Sequence, residues 1–467
     1  MTKAIKTRLL VVGGGPGGYV TAIRAGQLGL DVTLVEADRL GGTCLIRGCI
    51  PSKALIHAAA KFESVREAAT GEGTLGISIK GTPKLNLAET VRWKETIVKR
   101  LNEGVAGLLR RAKVKVVAGW ARFSDAKTCV VETAEGPVTI TAEHVVLANG
   151  SEPVELPNLP FGGPIVSSTE ALSLQELPRK LAVVGAGYIG LELGSAFRKF
   201  GSEVTVIEAQ DRILPLYDAP LVKPVARWLE RAGVTVHLGA KVKSFKSGVV
   251  TAEDASGKLL EVEADTVLVT VGRRPRTQGW GLESMGVDMD GRFVRIDDQC
   301  RTSMKNVWAI GDLVGEPMLE HKAAAQGEMV AEIIAGHRRR FAPVAIPAVC
   351  FTEPEIVSVG LSPAEAAQAG EEVTTGQFPY AANGRALSME AGENGGFVRV
   401  LARKSDHRIL GIQAVGSHVS ELSGEFALAL EMGATLEDIA GVIHAHPTLS
   451  EAFFEASLHG LGHAIHI

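Results

Sequence analysis

Residues 8–36 read RLLVVGGGPGGYVTAIRAGQLGLDVTLVE, and residues 180–208 read KLAVVGAGYIGLELGSAFRKFGSEVTVIE. Each opens with a short apolar run and passes through G-x-G-x-x-G into a helical pattern. Each then closes on an alternating β-branched run that ends in glutamate. The glycines are Gly13, Gly15 and Gly18 in the first stretch, and Gly185, Gly187 and Gly190 in the second. Glu36 and Glu208 each lie 23 residues after the first glycine, so two βαβ units share one internal measure. A lone glycine motif is weak evidence. Two in step, each with strand, helix and terminal carboxylate, point to two dinucleotides bound by one chain. The first glycine makes the tight turn, the second admits a pyrophosphate and the third lets helix pack on strand. The closing glutamate suits a ribose 2′-hydroxyl, and at Glu208 it repels a 2′-phosphate, which favours NAD over NADP.

Working outward, AEHVVLANGSEP (142–153) echoes ADTVLVTVGRRP (264–275). Each is a strand that stops at Gly150 or Gly272 with a proline three residues on, and each is expected to close the domain that a glycine motif opened. The expected architecture is α/β, with two Rossmann-like domains, one inserted in the other. Residues 1–149 and 274–345 form the outer unit and 150–273 the inserted one. A break falls at Phe341-Ala342-Pro343. Beyond it, 346–467 mixes strand signals (GFVRVLAR, ILGIQAVG) with helical ones and reads as an antiparallel α+β domain.

The whole-chain numbers agree. A length of 467 residues suits about three domains, and 46% hydrophobic with 22% charged residues excludes disorder. The net charge of −4 and 5% aromatic content argue against a nucleic-acid surface. No apolar run reaches the ~18 residues of a membrane span. No secretory or transit segment is visible at the N-terminus, so a cytoplasmic location is expected.

The segment GGTCLIRGCIPSK (41–53) sets Cys44 and Cys49 five residues apart at an apparent helix start. In a regular helix their Cα atoms would be roughly 8 Å apart, too far for a disulfide. Either they do not pair, or the helix is distorted between them; Gly48 and Pro51 supply the means. Two inert cysteines, half a zinc site and a redox-active dithiol remain open on spacing alone. At HAHPTLSE (444–451), the residues read as a helix start with Pro447 in its first turn, and His446 with Glu451 as a candidate base and its orienting carboxylate. His459, His463 and His466 have helix-like spacing but read as a polar tail; no metal is expected.

GGTCLIRGCIPSK resembles the active-site segment of the flavin disulfide reductases, and its IPSK ending is most similar to the dihydrolipoamide dehydrogenases. The likeness covers essentially the whole chain: first glycine motif, cysteine pair, second glycine motif, TSMKNVWAIGD (302–312), then HAHPTLSE. It implies FAD on the first unit, NAD on the inserted unit and a homodimer built by the chain after 346. It implies a Cys44–Cys49 disulfide, with Cys44 exchanging with substrate and Cys49 against the flavin. Lys53 would pair with Glu192, and the partner subunit's His446, oriented by Glu451 and supported by His444, would be the base.

Toward FAD the likeness assigns Gly13, Gly15, Gly18, Glu36, Gly42, Thr43, Lys53, Ala121, Asp312, Met318, Leu319 and His321. PMLEHKAAAQGE (317–328) would begin a helix with its positive end toward the flavin. Toward NAD it assigns Gly185, Gly187, Tyr188, Gly190, Glu208, Val242 and Gly272. The implied reaction is oxidation of dihydrolipoyl groups with NAD, serving the lipoyl domains and acyltransferase core of a 2-oxoacid dehydrogenase complex. A reductase for another disulfide, such as glutathione, and a non-catalytic flavin-binding subunit are the alternatives. Three departures stand out. Ile46-Arg47 replaces Asn-Val, so Arg47 either lowers a thiol pKa or faces solvent. Asn149 replaces a threonine, and the bulky Tyr188 suggests a lid over the flavin.

Overall fold

The computed structural model describes residues 3–71 and 75–467. Strand Lys3–Val12, whose apolar end Leu9–Val12 is buried, forms the centre of the first sheet, parallel to Val32–Glu36 on one side and to Gly136–Leu147 on the other. Lys115–Ala118 extends the first side, and Val307–Ala309 pairs in parallel with Val145–Leu147. The N-terminal half of Gly136–Leu147 has a second role, as the edge of an antiparallel meander with Thr128–Thr133 and Trp120–Phe123.

The second sheet repeats this plan. Its parallel order is Thr235–His237, Glu203–Ile207, Lys180–Val184, Thr266–Val269, Ile165–Val166. A meander of Lys241–Lys246, Val249–Glu253 and Leu259–Glu263 stands beside it. The chain therefore leaves the first sheet after Leu147, builds the second, and returns to the first at Val307. The two echoed segments meet directly. Ser151–Pro153 and Arg273–Pro275 form a two-stranded antiparallel ribbon, so the exit and the return of the inserted unit are hydrogen-bonded to each other.

The chain after Pro347 folds on a five-stranded antiparallel sheet, with Glu355–Gly360, Ile409–Gly416 and Phe397–Arg403 in its middle. Helix Glu451–Gly460 packs on this sheet, with Phe453 against Phe426 edge to face. One apolar core is shared by all three parts. It joins Leu55 and Ala59 of helix Cys49–Thr70, Leu191 and Phe197 of helix Tyr188–Phe200, and Ile356 and Val415 of the third sheet. Each such Leu, Ile, Val or Phe side chain stabilises by about 1.5–3 kcal/mol when fully buried, so the three parts are packed together rather than strung on linkers.

Helix Cys49–Thr70 begins where helix Gly42–Arg47 ends, and Gly48 separates them with a non-helical backbone (φ −146°, ψ −110°). The helix expected at Pro447 instead begins at Glu451. Over 446–450 the backbone turns: the Thr448 N–H donates to Glu451 Oε2 at 2.8 Å and the Thr448 hydroxyl to the Ala445 carbonyl at 2.7 Å. These bonds take the place of a first helical turn. Among the described residues, no helix is long and apolar enough to cross a membrane.

Candidate active site

A cavity of about 510 Å³ runs from the first glycine loop, past the cysteine pair, to the start of helix Tyr188–Phe200. Gly13, Gly15, Glu36, Gly42, Thr43, Cys44, Cys49, Lys53, Ala121, Tyr188, Glu192, Asp312 and Met318 all line it. The glycines divide by purpose. A Cβ on Gly18 would sit 1.8 Å from the Gly13 carbonyl oxygen, and one on Gly190 2.2 Å from that of Gly185. Gly13 and Gly185 hold φ near +100°. These four serve the turn and the helix–strand contact. The middle glycines differ. A Cβ on Gly15 would meet nothing nearer than Gly42 Cα at 3.7 Å, and one on Gly187 would meet nothing within 4 Å. The protein's own packing does not require glycine there, and the space left is what a closely approaching phosphate needs.

The carboxylates repeat as well. Glu36 accepts the N–H of Gly14 at 2.6 Å and of Asp38 at 2.8 Å. Glu208 accepts those of Ala186 at 2.6 Å and Gln210 at 2.8 Å. Each is thereby held at the lip of its glycine loop with further lone pairs free for hydroxyl donors. Burial raises the Glu36 pKa above the ordinary carboxylate value, against the Gly14 bond. The buried Asn149 Oδ1, beside Gly150 on the cavity wall, has no partner within the protein. A group with a polar edge fits that place.

Both cysteines stand as thiols, Cys49 exposed to the cavity and Cys44 half-buried. A side-chain hydrogen bond joins them. It is the largest influence on both: it lowers the Cys49 pKa and raises that of Cys44. Burial works against Cys49, Lys53 assists it, and Glu320 at the start of helix Glu320–Ile334 opposes it. Cys49 is therefore the sulfur of the pair on which a thiolate is favoured.

Lys53 lies one helical turn beyond Cys49. Its Nζ is 2.7 Å from Glu192 Oε2 and 4.4 Å from the centroid of Phe351. Glu192 is only 3% exposed, and its Oε1 accepts the Phe351 N–H at 2.9 Å. All three parts of the chain thus meet at one ion pair.

Opposite this, the Ser151 hydroxyl donates to Asp312 Oδ2 at 2.5 Å, while Arg273 Nε donates to Ser151 Oγ at 2.8 Å. Sequence reasoning singled out Asp312 but missed Ser151, Arg273 and Phe351. The echo of the two strand ends was the available signal for the first two; nothing local marks Phe351. Tyr188, the first residue of its helix, lines the same cavity at 36% exposure.

Ile46 packs into the core and Arg47 pairs with Asp38 beside Glu36, so Arg47 belongs to the Glu36 end of the cavity. Helix Glu320–Ile334 brings Met318 and Glu320 to the wall. Leu319 and His321 are not brought there, and His321 Nε2 lies 2.9 Å from the Pro347 carbonyl. Val242 sits in the second meander, its carbonyl accepting Asn158 Nδ2, and Gly272 holds φ +118° at the ribbon.

His446 Nδ1 lies 2.9 Å from Glu451 Oε1, and the imidazole is 79% exposed. Neither residue lines the cavity that holds the cysteines. His444 is nearly buried, its Nε2 3.0 Å from Glu425 Oε1 and its ring against Phe454. Beside them Ile443, Met432, Leu428 and Val442 are all more than half exposed. His459 Nδ1 turns to Gln377 and His466 Nδ1 to Glu455. Among the described residues no group of three His, Cys, Asp or Glu side chains is arranged around a metal position.

Comparison with known proteins gives full-length matches. Residues 7–327 match the pyridine nucleotide-disulphide oxidoreductase model, and 346–457 match the dimerisation domain of the same family. The chain is 60% identical to the dihydrolipoyl dehydrogenase of Pseudomonas aeruginosa over all of both chains. It is 45% identical to that of Geobacillus stearothermophilus over 99% and 98% of the two. Among solved structures, LpdA of Mycobacterium tuberculosis superposes with a TM-score of 0.87 at 27% identity, covering 97% of this chain and 99% of that one. The HOCl-induced flavoprotein disulfide reductase RclA of Escherichia coli, as its Cu(II) complex, superposes at 0.86 with 25% identity and the same coverage.

Proposed function

The chain belongs to the pyridine nucleotide-disulphide oxidoreductase family, and from that premise we propose that it oxidises dihydrolipoyl groups to lipoyl groups with NAD. Its cofactors are FAD and NAD. The observation that carries the reading is the Cys44–Cys49 pair on the cavity wall, with the Lys53–Glu192 ion pair behind it. Gly13, Gly15, Glu36, Asp312 and the open edge of Asn149 suit FAD; Gly185, Gly187 and Glu208 suit NAD. Bound there, these cofactors supply two-electron acceptance from a dithiol and its delivery as hydride.

The chain's own residues do the thiol chemistry. In the oxidised enzyme Cys44 and Cys49 form a disulfide. The partner subunit's His446 holds its Nδ1 proton on Glu451, which leaves Nε2 free to take a proton from a substrate thiol. The substrate thiolate attacks Cys44, a mixed disulfide forms, and Cys49 departs as the thiolate that Lys53 favours. The second substrate thiol then attacks that mixed disulfide. Lipoyl leaves oxidised, one proton remains on Cys44 and the other on His446.

A homodimer accounts for the separation of His446 from the cavity and for the exposed apolar group around Ile443. A lipoyl domain carried on the acyltransferase core of a 2-oxoacid dehydrogenase complex is the substrate, and the cytoplasm is its setting. Tyr188 acts as a lid over the flavin; unchanged NAD kinetics in Tyr188→Val would remove that role. The test is anaerobic. Dihydrolipoamide added to the flavoprotein should produce a long-wavelength thiolate–flavin charge-transfer band, and NAD, but not NADP, should then yield its reduced form. Absence of both the band and NADH sinks the proposal.

A further inference from the structure

Helices Cys49–Thr70 and Tyr188–Phe200 come from different dinucleotide units, yet they pack side by side with two ion pairs of opposite polarity. At the cavity end Lys53 of the first meets Glu192 of the second. Further along, Glu63 of the first meets Lys199 of the second at 3.1 Å. Lys199 is 7% exposed, and its Nζ also donates to Glu353 Oε2 of the third part at 2.8 Å while lying 5.3 Å from the Trp228 ring. Phe351 and Glu353 sit two residues apart, so one short segment of the third part ties both ion pairs. Burial alone would lower the lysine's pKa, but Glu353 and Glu63 outweigh it and hold the group charged.

The rest of this contact is apolar: Leu55, Ala59, Leu191, Phe197 and Ile356. Apolar burial is non-directional, so it holds the units together without choosing their register. A charge-assisted triad whose central lysine is buried has one satisfactory geometry. Tyr188 and Lys199 stand eleven residues apart on one helix, about 16 Å. A tilt of about 5° at the Lys199 end therefore displaces the cavity end by about 1.4 Å. Misplacement of about 1 Å is enough to slow a reaction roughly a hundredfold.

We infer that Lys199, held between Glu63 and Glu353, is a positioning residue that sets the inserted unit against the first unit for hydride transfer. The inference rests on the reading above for its reaction, but not on which disulfide is the substrate. The triad touches neither the thiols nor the glycine loops, so its loss leaves dithiol exchange and NAD affinity alone.

The experiment uses the holoenzyme and separates the two half-reactions by stopped flow: flavin reduction by dihydrolipoamide, and flavin reduction by NADH. Lys199→Met leaves two carboxylates facing each other. The neutral variant Lys199→Met/Glu63→Gln/Glu353→Gln removes that strain and keeps the test open if the single variant does not fold. Glu353→Gln alone keeps the Lys199–Glu63 pair. We expect the neutral variant to slow the NADH half-reaction at least tenfold and leave the dihydrolipoamide half-reaction and the NAD Kd within twofold. Glu353→Gln should fall between, and Lys199→Arg should stay near wild type. Without reference to activity, the backbone amide of Phe351 should exchange with solvent at least fivefold faster. Parallel slowing of both half-reactions, or an NADH step within twofold of wild type in either the neutral variant or Glu353→Gln, overturns the inference. A wild-type enzyme that NADH reduces but dihydrolipoamide does not would instead refute the substrate reading and leave this one standing.

Discussion

Removing the charge at Lys53 and removing it at Glu192 should move the Cys49 thiolate in opposite directions. Cys49 and Lys53 are four residues apart on one helix, so their side chains leave the same face roughly 6 Å apart. A unit charge at that distance, with an effective dielectric of about 20, interacts by about 3 kcal/mol as an upper bound. Lys53 is a third exposed and is neutralised by Glu192 at 2.7 Å, which leaves about 1 kcal/mol acting on the sulfur. Lys53→Met should therefore reduce the ionisation constant of the Cys49 thiol about fivefold. Glu192→Gln frees the ammonium and should increase that constant by a comparable factor. The assay is a pH titration of the thiolate ultraviolet difference absorbance in the two-electron-reduced holoenzyme. Both variants moving together, or neither moving, would refute the claim that Lys53 acts on Cys49 by its charge and that Glu192 attenuates it.

Other outcomes follow from particular contacts. Gly187→Ala should keep the wild-type melting temperature within about 2 °C yet raise the KM for NAD at least tenfold, because its Cβ meets no protein atom; Gly190→Ala should fail to fold stably, as expression and circular dichroism would reveal. Subunits carrying Cys44→Ser and His446→Asn, each inactive alone, should regain roughly a quarter of wild-type turnover when refolded together, whereas a mixture that stays inactive would place both groups in one subunit's site. Arg24 lowers the Glu332 pKa through a 2.7 Å bond, the largest contribution. A carboxylate with a depressed folded pKa contributes stability above its unfolded pKa and loses it as pH falls through the folded one. Glu332→Gln should thus lower the melting temperature by a few degrees at pH 7, and by progressively less as the pH falls below the ordinary glutamate range.

Much of the chemistry was legible because it is local. A glycine's lack of Cβ and a carboxylate 23 residues later act within a single βαβ unit, so Gly13, Gly185, Glu36 and Glu208 declare themselves in one dimension. A helix break between the cysteines was one of two readings that the sequence left open, and Gly48 makes it. The helix start at Pro447 was misread. Proline suits a first turn, but the Glu451 carboxylate captures the Thr448 N–H and shapes 446–450 as a turn. The His321 side chain meets the Pro347 carbonyl, a partner 26 positions away that its place in the motif does not announce.

Local residue chemistry thus pointed by itself to two nucleotide units, and it marked the cysteine pair and the histidine–carboxylate pair as candidates. Tertiary structure alone decided how they meet. Ser151 reaches Asp312 across 161 positions of chain, Phe351 closes on Glu192 across 159, and Lys199 joins Glu63 to Glu353. Such partners are chosen by the packing of one unit on another. Hydrogen bonds between groups so far apart in sequence form only after the apolar core has fixed where each helix lies, and no spacing along the chain encodes that distance.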